Sequence, residues 1–522
     1  MSALSRGVAT WILIACAGAC GPGLETTSDG GDSDGSTTGG EATSAVTTGD
    51  ATSATGSDAT TAVDPSASTS GGETTGTSET TGPPAPLCPD GVHVGDLELT
   101  SQALVDAAAA CVSVTKDLSV AGPDIVDLAP LASLETVGRY LWIEQNTQLV
   151  SLAGLEALRK VGLSMFIEEH PALVDLDGLT GLERVGGHLY LSHNESLQSV
   201  AGLSTLTKLG GGGHHELRIW GNDALLSLHG IENLAPDPGL TLTVAYNASL
   251  VDLDALAGLD VLAEASIASL PLTSFAGFEG LTEVTGVLTI RDHAQLASLA
   301  GLDNLERVGG LVLADNPLLL DLDGLGALEH AGSLRIVDGV PLSSLAGLDA
   351  LTSLGQLDVD GNLSLTSLVG MSSLPALGEL SISGAGLTTL TGLEGIAVTG
   401  GVQLRENDEL VALTGLDAVT QLAESLYVGM NPKLTSLSAI DGIAQIDGDL
   451  RVVVNGALPQ LDAELWGAAR TVGGLVKIDG NLGAAPHVDE CPWVNDYECD
   501  EPGGTGLCPA GYDEDDCAII PP

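Results

Sequence analysis

The sequence is poor in positive charge and in aromatic side chains. It has 16 lysine and arginine residues against 70 aspartate and glutamate residues, a formal net charge of -54, and only 3% of its 522 residues are aromatic. A chain this acidic repels the phosphates of nucleic acids, so we expect no nucleic-acid partner. The low aromatic content and the 69 glycines indicate tight turns around a small aliphatic core, rather than an ordinary globular enzyme.

Long apolar runs are also scarce, and the one near the N-terminus is short. The segment GVATWILIACAGA follows MSALSR and is too short to span a membrane as a mature helix, so it predicts a secretion signal over residues 1–20. It ends at Cys20, which follows AGA, and Cys16 follows LIA. Both resemble the cleavage box of bacterial lipoproteins, whose cysteine becomes the lipidated N-terminus. We take Cys20 as the lipidation site, with Cys16 and an ordinary signal peptide as alternatives.

Lysine and arginine are absent from residues 21–87, which consist mainly of Ser, Thr, Gly, Ala and scattered acids. Such a segment cannot bury enough apolar surface to offset the entropy of ordering, so it predicts a disordered tether. By the scaling for flexible linkers, its root-mean-square span is roughly 45 Å. A lipidated, tethered chain would be secreted and anchored to the bacterial cell envelope, at the outer membrane or the cell surface.

A pattern of about 22 to 28 residues returns down the rest of the chain. Each copy has alternating apolar residues before an asparagine, as in LWIEQN at Leu141 and LYLSHN at Leu189. Most copies continue as L-x-S-L-x-G-L-x-x-L-x-x-V-G-G. In three copies another residue stands where asparagine is expected, namely His170, His293 and Gly339. A period of this length is typical of a solenoid, in which each coil buries its apolar side only against its neighbours.

The alternation predicts a mainly β solenoid over residues 116–486. In LWIE, Leu141 and Ile143 should point inward and Trp142 outward. About fifteen coils would stack as a parallel sheet at ~4.8 Å per coil, about 70 Å in all. The recurrent asparagine is expected to bond backbone groups where the chain bends away from the strand, and the connections should be short irregular or 3₁₀ segments.

The pattern N-x-x-L-x-S-L-x-G-L-x-x-L-x-x-V-G-G-x-L-x-I resembles the leucine-rich coil of the receptor L domain. That domain occurs in insulin-receptor-like ectodomains, fungal wall proteins and bacterial surface proteins. The resemblance implies a right-handed, parallel β-helix-like solenoid used for binding or display, with no catalytic residues to transfer. More coils are present than in one such domain, and ordinary leucine-rich repeats are the neighbouring alternative.

The ends of a solenoid need caps. Cys88 and Cys111 bracket a short segment in which one disulfide could close an N-terminal cap over residues 88–115. Within it, SQALVDAAAAC reads as a short helix with Ser101 as the N-cap.

Residues 487–522 form a separate segment rich in acids and containing Cys491, Cys499, Cys508 and Cys517. Four cysteines allow three pairings, and a secreted protein favours disulfides over zinc. Calcium is the better metal, because it takes oxygen ligands. The segment resembles the small calcium-binding Notch-type repeat, although it has four rather than six cysteines and Tyr497 replaces the usual glycine. The resemblance implies four calcium ligands: Asn495, Asp500, Asp513 and Asp516. A disulfide cap with solvated acids is the alternative.

Several outward-facing strand positions carry large side chains in consecutive copies: Trp142, Phe166, Tyr190, Arg218 and Trp220. Stacked strands would place them side by side, next to Glu144 and Glu168. We predict an exposed aromatic strip that binds a glycan or a protein. The alternative is a cross-strand ladder that only stabilises the sheet, or one covered by the tether.

These features favour a membrane-anchored, non-catalytic binding or adhesion protein. A structural envelope spacer without a dedicated ligand is the first alternative. A polysaccharide-active β-helix enzyme is the second, since charges lie on later strands: Arg291, Arg335, Asp358, Asp360 and Arg405. The sequence offers no acid and base pair at a defined separation, which glycoside chemistry requires.

Overall fold

The computed structural model describes residues 87–482, apart from residues 89, 212 and 236. The predicted signal peptide, almost all of the tether over 21–87 and the segment 487–522 lie outside the described residues. Lipidation at Cys20 or Cys16 therefore stays a prediction. The same holds for the pairing of Cys491, Cys499, Cys508 and Cys517, and for the four calcium ligands Asn495, Asp500, Asp513 and Asp516.

The main sheet has seventeen strands, and each pairs in parallel with the next one along the chain. We number the strands β1–β17 and call the segment that carries each one a coil with the same number. Their bounds are β1 Leu97–Leu99, β2 Leu118–Val120, β3 Leu141–Glu144, β4 Met165–Glu168, β5 Leu189–Ser192, β6 His215–Trp220, β7 Leu240–Ala245, β8 Glu264–Ala268, β9 Glu283–Arg291, β10 Arg307–Ala314, β11 His330–Ile336, β12 Ser353–Asp360, β13 Ala376–Ser383, β14 Val402–Arg405, β15 Leu426–Gly429, β16 Leu450–Val453 and β17 Val476–Asp479.

A second row of two-residue strands precedes the main row. These short strands are Val92–His93, Ser113–Val114, Thr136–Val137, Lys160–Val161, Arg184–Val185, Lys208–Leu209, Val261–Leu262, Ala397–Val398, Gln421–Leu422, Gln445–Ile446 and Thr471–Val472. In β9–β13 the two rows merge into one longer strand, and the pairing of β9 with β10 is irregular between Val284 and Val287. Every coil except coil 7 therefore contributes a strand to both rows.

The core follows the predicted alternation. Leu141 and Ile143 are buried, whereas Trp142 between them is only half-buried. The first inward residue of every strand from β1 to β16 is at most 5% exposed. The mainly β parallel solenoid is thus confirmed, with seventeen strands in the main row rather than about fifteen coils. One of them, β1, lies inside residues 88–115, so the predicted N-terminal cap itself supplies a coil.

Short segments connect the strands. Five of them contain 3₁₀ helices: Ala129–Leu131, Asp177–Leu179, Ala201–Leu203, Asp254–Leu256 and Ser438–Ile440. Glycine is required where neighbouring coils touch. A Cβ on Gly178 would collide with the carbonyl oxygen of Leu152, and one on Gly202 with that of Leu176. This close approach explains the repeated glycine of the L-x-G-L segment.

Two α-helices lie near the two ends of the described chain: α1 at Gln102–Ala107 and α2 at Gln460–Ala468. The predicted disulfide between Cys88 and Cys111 is present, and it ties the start of coil 1 to the end of the segment that contains α1. Helix α1 begins directly after Ser101, although the Ser101 hydroxyl makes no capping hydrogen bond. The N-terminal end is therefore closed by a covalent bond and a helix together.

A column of buried polar side chains runs through the stack just past the main sheet. This asparagine ladder consists of Asn146, His170, Asn194, Asn222, Asn247, His293, Asn316, Asn362, Asn407, Asn431, Asn455 and Asn481, all at most 3% exposed. A regular member such as Asn194 donates from Nδ2 to the carbonyl of Ile167 in the preceding coil at 2.9 Å. Its Oδ1 accepts the backbone N–H of His170, also in the preceding coil, at 3.2 Å. Each regular amide thus satisfies one buried donor and one buried acceptor of the coil before it.

In coils 4 and 9 a histidine takes the place of asparagine and makes the same two kinds of hydrogen bond. Nδ1 of His170 accepts the backbone N–H of Asn146 at 3.2 Å, and Nε2 lies 2.9 Å from the carbonyl oxygen of Ile143. These partners require the neutral tautomer with its proton on Nε2. Burial lowers the pKa of both His170 and His293, because the charged imidazolium is disfavoured away from water. Neutral imidazole therefore replaces the amide, one nitrogen accepting and the other donating.

The residue before each ladder position commonly adopts a left-handed backbone. Nine non-glycine residues do so, including Gln145 at φ 56° and Glu169 at φ 62°. This conformation is uncommon outside glycine. It turns the chain sharply after the strand, so that the next side chain points into the ladder.

Candidate binding surface

Four of the predicted surface residues form one row across adjacent coils. The strand register pairs Trp142 with Phe166, Phe166 with Tyr190, and Tyr190 with Arg218. The rings of Trp142 and Phe166 are stacked, with centroids 5.8 Å apart and planes inclined by 7°. Tyr190 meets Phe166 edge-on at 5.2 Å. We call Trp142, Phe166, Tyr190 and Arg218 the aromatic row.

A hydrogen-bonded network closes one end of the aromatic row. The Arg218 guanidinium lies 4.5 Å from the centre of the Tyr190 ring and donates from Nε to Oε1 of Glu216 at 2.9 Å. The Tyr190 hydroxyl donates to Oε2 of Glu216 at 2.7 Å, and the Thr243 hydroxyl donates to Oε1 at 2.8 Å. Burial and the bond to Glu216 raise the pKa of Tyr190 to about 12. The phenol stays protonated, and this end of the row is held in one geometry.

Trp220 does not belong to the aromatic row, which corrects the single strip predicted above. It lies two residues further along β6, where the register places it between Ser192 and Ala245. Its ring packs on Tyr246 instead, at 4.6 Å between centroids. Outward positions two residues apart on a strand are separated by about 7 Å, so they form two columns rather than one.

Acidic side chains flank the aromatic row. Glu144 and Glu168 face each other in the same column as Trp220. Burial raises the pKa of Glu168, and the nearby carboxylate of Glu144 acts in the same direction. The row is therefore bordered by carboxylates, one of which is partly withdrawn from water.

The aromatic surface extends beyond the residues that the sequence analysis singled out. Tyr140 lies 5.0 Å from Trp142, and His188 lies 5.6 Å from Tyr190, both measured between ring centroids. Ten phenylalanine, tyrosine and tryptophan residues fall within the described chain. Six of them lie on or next to the outer face of β3–β7: Tyr140, Trp142, Phe166, Tyr190, Trp220 and Tyr246. Tyr140 directly precedes β3, and extending the alternation by one residue would have found it. Tyr246 directly follows β7 with a left-handed backbone, at φ 56°, so the alternation does not predict its outward position.

The charges on later strands are mostly paired locally. Arg335 lies 3.1 Å from Asp358 on the next strand, and Arg291 lies 3.3 Å from its neighbour Asp292. One carboxyl pair was not predicted from the sequence: a hydrogen bond to Glu424 raises the pKa of Glu379. This pair lines neither the cavity of about 280 Å³ beside Asn362 nor that of about 330 Å³ beside Trp466.

Across residues 87–482, apart from the three positions named above, no cluster of three or more His, Cys, Asp or Glu side chains is placed to hold a metal ion. Within the same residues, no helix has both the length and the apolar character needed to cross a bilayer.

No family model and no curated protein matches this chain. Solved structures with a similar arrangement include an internalin from Listeria monocytogenes, at 15% identity and a TM-score of 0.29 over 73% of this chain and 83% of that one. The mouse RP105/MD-1 complex matches at 12% identity and a TM-score of 0.34, over 73% and 77%. A leucine-rich repeat protein from Bacteroides eggerthii matches at 12% identity and a TM-score of 0.33, over 74% and 71%.

These scores are low, and the assignment of the fold rests on the strand pairing of this chain itself. The parallel strand pairing and the side chains on the outer face of the sheet define the class of this protein. The chain is a leucine-rich parallel β-solenoid that carries one aromatic surface.

Proposed function

We propose that this chain is a non-catalytic binding protein whose aromatic row contacts a protein partner. One observation carries the proposal: Trp142, Phe166, Tyr190 and Arg218 occupy the same outward position on four successive strands. Tryptophan, tyrosine and arginine are the residue types most enriched among those that dominate protein–protein binding energy. The chain has few aromatic residues, and yet all three types occur in one row. The packing of the solenoid does not explain this concentration.

The arrangement has the features of a protein interface. The rings contact one another and leave a half-buried apolar strip about 15 Å long, three strand spacings of ~4.8 Å. Carboxylates border the strip at Glu144, Glu168 and Glu216. An apolar centre with a polar rim is the usual anatomy of such interfaces. The network around Glu216 orders Tyr190 and Arg218 before any partner arrives, which lowers the entropy lost on binding.

A glycan is the second candidate ligand. Carboxylates beside exposed rings accept hydrogen bonds from sugar hydroxyls, and Glu144 and Glu168 lie next to the row. Rings that pack against each other present less free flat surface for a sugar to stack on, which favours the protein partner.

The segments outside the described residues complete the proposal. A lipid at Cys20, or at Cys16, would anchor the chain in the cell envelope, and stable anchoring requires two or more acyl chains. Residues 21–87 would then hold the solenoid away from the membrane. Calcium bound by Asn495, Asp500, Asp513 and Asp516 would stiffen the C-terminal segment. Mass spectrometry of the mature N-terminus and calcium titration of the secreted chain test these two points separately.

The binding experiment uses the chain from residue 88 onward, immobilised and probed with a displayed peptide library and with a glycan array. Binders selected on the natural sequence are measured again on Trp142→Ser and on Tyr427→Ser. Tyr427 is a matched control, since it stands at the same outward position on β15, opposite Gln403 and Arg451. We expect Trp142→Ser to weaken peptide binding at least about tenfold and Tyr427→Ser to leave it unchanged.

Each other outcome has a defined meaning. Binding to glycans alone, lost in Trp142→Ser, would replace the protein partner by a sugar. Equal loss in both variants would place the contact elsewhere on the sheet. No binder from either library would favour the structural spacer, and turnover of a glycan would favour the enzyme.

A further inference from the structure

The last coil leaves core positions uncovered. Val476 on β17 occupies the inward position that Leu450 holds on β16, but it is 56% exposed, against at most 5% for the same position on β1 to β16. Ile478, two residues on, is also only partly buried. In every earlier coil these side chains are covered by the coil that follows. The stack therefore ends, within the described residues, on an apolar face.

The backbone of β17 is open on the same side. In β16 the N–H of Leu450 donates to the carbonyl oxygen of Leu475 in the next coil at 2.8 Å. The equivalent N–H of Val476 points to where an eighteenth coil would lie, and residues 87–482 contain no such coil. An uncovered strand edge beside exposed apolar side chains is a site for another segment to pair and pack.

The polar ladder, in contrast, is closed at this end. Gln460, the first residue of α2, donates from Nε2 to the carbonyl oxygen of Ile478 at 2.7 Å. Its Oε1 accepts the backbone N–H of Asn481 at 3.3 Å and the Nδ2 of Asn481 at 3.0 Å. These are the bonds that the asparagine of a following coil would make. No further repeat is needed for the polar groups, and what remains to be covered is apolar.

We propose that residues 483–522 of the same chain pack on this end face, covering Val476 and Ile478 and adding a backbone segment along the open edge of β17. This inference stands apart from the proposed function of the aromatic row. It gives the acidic, cysteine-rich C-terminal segment a docking site.

The position of the last described residue supports this occupant. Leu482 is the last described residue; its N–H donates to the carbonyl of Leu458 in coil 16 at 2.7 Å, and its side chain is 54% exposed. The forty residues that follow start at the rim of the uncovered face. Trp493, Ile519 and Ile520 are among the apolar side chains they bring. A segment joined to its own site acts at a high effective concentration.

A second copy of the chain is the competing occupant, and charge disfavours it. Each copy carries a formal net charge of -54, so two chains approaching end to end repel one another. Residues 483–522 belong to the same chain and are joined to it at Leu482. They can therefore reach the face without an encounter between two molecules.

Hydrogen exchange on the full-length secreted chain tests the proposal directly. We expect the amides of Val476 and Ile478 to exchange at least about tenfold more slowly than those of an unpaired segment. Cleaving the chain between residues 482 and 487, through an inserted protease site, should abolish this protection once the segment is washed away. Unprotected amides in the intact chain would overturn the proposal.

A matched pair of variants gives a second readout that needs no cleavage. Leu363 is 75% exposed in coil 12, far from either end. Under the proposal Val476→Asp places a charge in a covered contact and speeds exchange along β17 at least about tenfold, whereas Leu363→Asp has no effect there. If Val476→Asp prevents folding, Val476→Ala replaces it, with a smaller change in the same direction.

Sedimentation of the intact chain distinguishes the two occupants. A monomer with protected β17 amides supports the C-terminal segment. A concentration-dependent dimer that Val476→Asp dissociates would assign the face to a second copy and overturn the proposal. Equal and negligible effects of Val476→Asp and Leu363→Asp would show that nothing covers the face.

Discussion

Two columns of side chains run through this solenoid, and they differ in how far they extend. The asparagine ladder has twelve members between coil 3 and coil 17, all at most 3% exposed. The aromatic row occupies only coils 3–6, on the outer side of the same sheet. The ladder recurs because every coil exposes the same buried N–H and C=O groups, which must be satisfied. No buried backbone group requires the side chains of the aromatic row.

The difference separates architecture from function in a repeat protein. A feature present in nearly every coil is accounted for by the coil. A feature confined to a few neighbouring coils needs a reason outside the fold, and binding is the simplest one. Substitutions that act on one column at a time test this separation.

Replacing a regular ladder residue should cost most. In Asn431, Nδ2 donates to the carbonyls of Leu404 and Gly429, and Oδ1 accepts the backbone N–H of Asn407. Asn431→Leu leaves these groups buried without partners, at about 1–3 kcal/mol each. We expect the free energy of unfolding to fall by about 3–5 kcal/mol in chemical denaturation. A loss below about 1 kcal/mol would mean that the ladder is not needed for stability.

Substitutions at two adjacent residues of β3 should lower the stability by different amounts. Leu141 is 1% exposed, and Leu141→Ala should lower the free energy of unfolding by about 3 kcal/mol through the cavity it creates. Trp142→Ser, one residue along, should lower it by about 1 kcal/mol or less, since the ring is half-buried and packs on the surface rings of Tyr140 and Phe166. Thermal unfolding of both variants checks this. Equal losses would make the aromatic row a part of the fold.

The two ladder histidines should make the solenoid sensitive to acid. Burial lowers their folded-state pKa below the ordinary value of 6.5, so the unfolded chain binds more protons as the pH falls below 6.5. Stability is therefore full above pH 6.5 and decreases on acidification, by up to about 1.4 kcal/mol per pH unit for each histidine.

The double variant His170→Asn with His293→Asn removes both imidazoles and keeps the ladder. Its stability should change less than that of the natural chain between pH 7.5 and pH 5, measured by denaturation at each pH. Parallel curves for the two proteins would contradict the role assigned to the neutral imidazoles.

The smallest difference between two variants is expected where the ladder is interrupted. In coil 11 Gly339 takes the left-handed position before the ladder, at φ 74°, and the buried Val340 follows it in the ladder column, which corrects the position predicted for Gly339. Oδ1 of Asn362 in coil 12 is buried without a hydrogen-bond partner. Nδ2 of Asn362 still donates to the carbonyls of Ile336 and Asp360. Asn362→Leu should therefore cost about 1–2 kcal/mol less than Asn431→Leu in the same denaturation assay. An equal cost would mean that the orphaned oxygen has a partner in solution.

Much of the fold could be predicted from the sequence. The alternation around Leu141 and Ile143 identified the inward positions, and the recurring asparagine was expected to bond backbone groups at a bend. Both follow from local chemistry repeated many times. Which backbone groups Asn194 bonds could not be predicted, because Ile167 and His170 belong to the preceding coil and their position depends on the stacking.

The candidate surface was only partly predictable, for a related reason. Alternation shows that Trp142 and Trp220 both face outward, but it does not distinguish the two outward columns of a strand. Tyr190 and Glu216 belong to neighbouring coils of different length. The register between the strands of those coils could not be read from the sequence, so this contact was not predicted. Gln460 was not foreseeable either, since nothing in a helical segment marks a residue that ends a ladder of asparagines.

The one-way direction of the ladder has a consequence for how the protein is made. Most coils have their buried groups completed by a side chain from the coil that comes later. A nascent chain leaving a ribosome, or crossing a membrane N-terminus first, therefore carries an unfinished coil at its growing end for most of its length, and only Gln460 finishes the last. Most versions shortened from the C-terminus would end on an incomplete coil, unless the segment around Gln460 is moved with the cut.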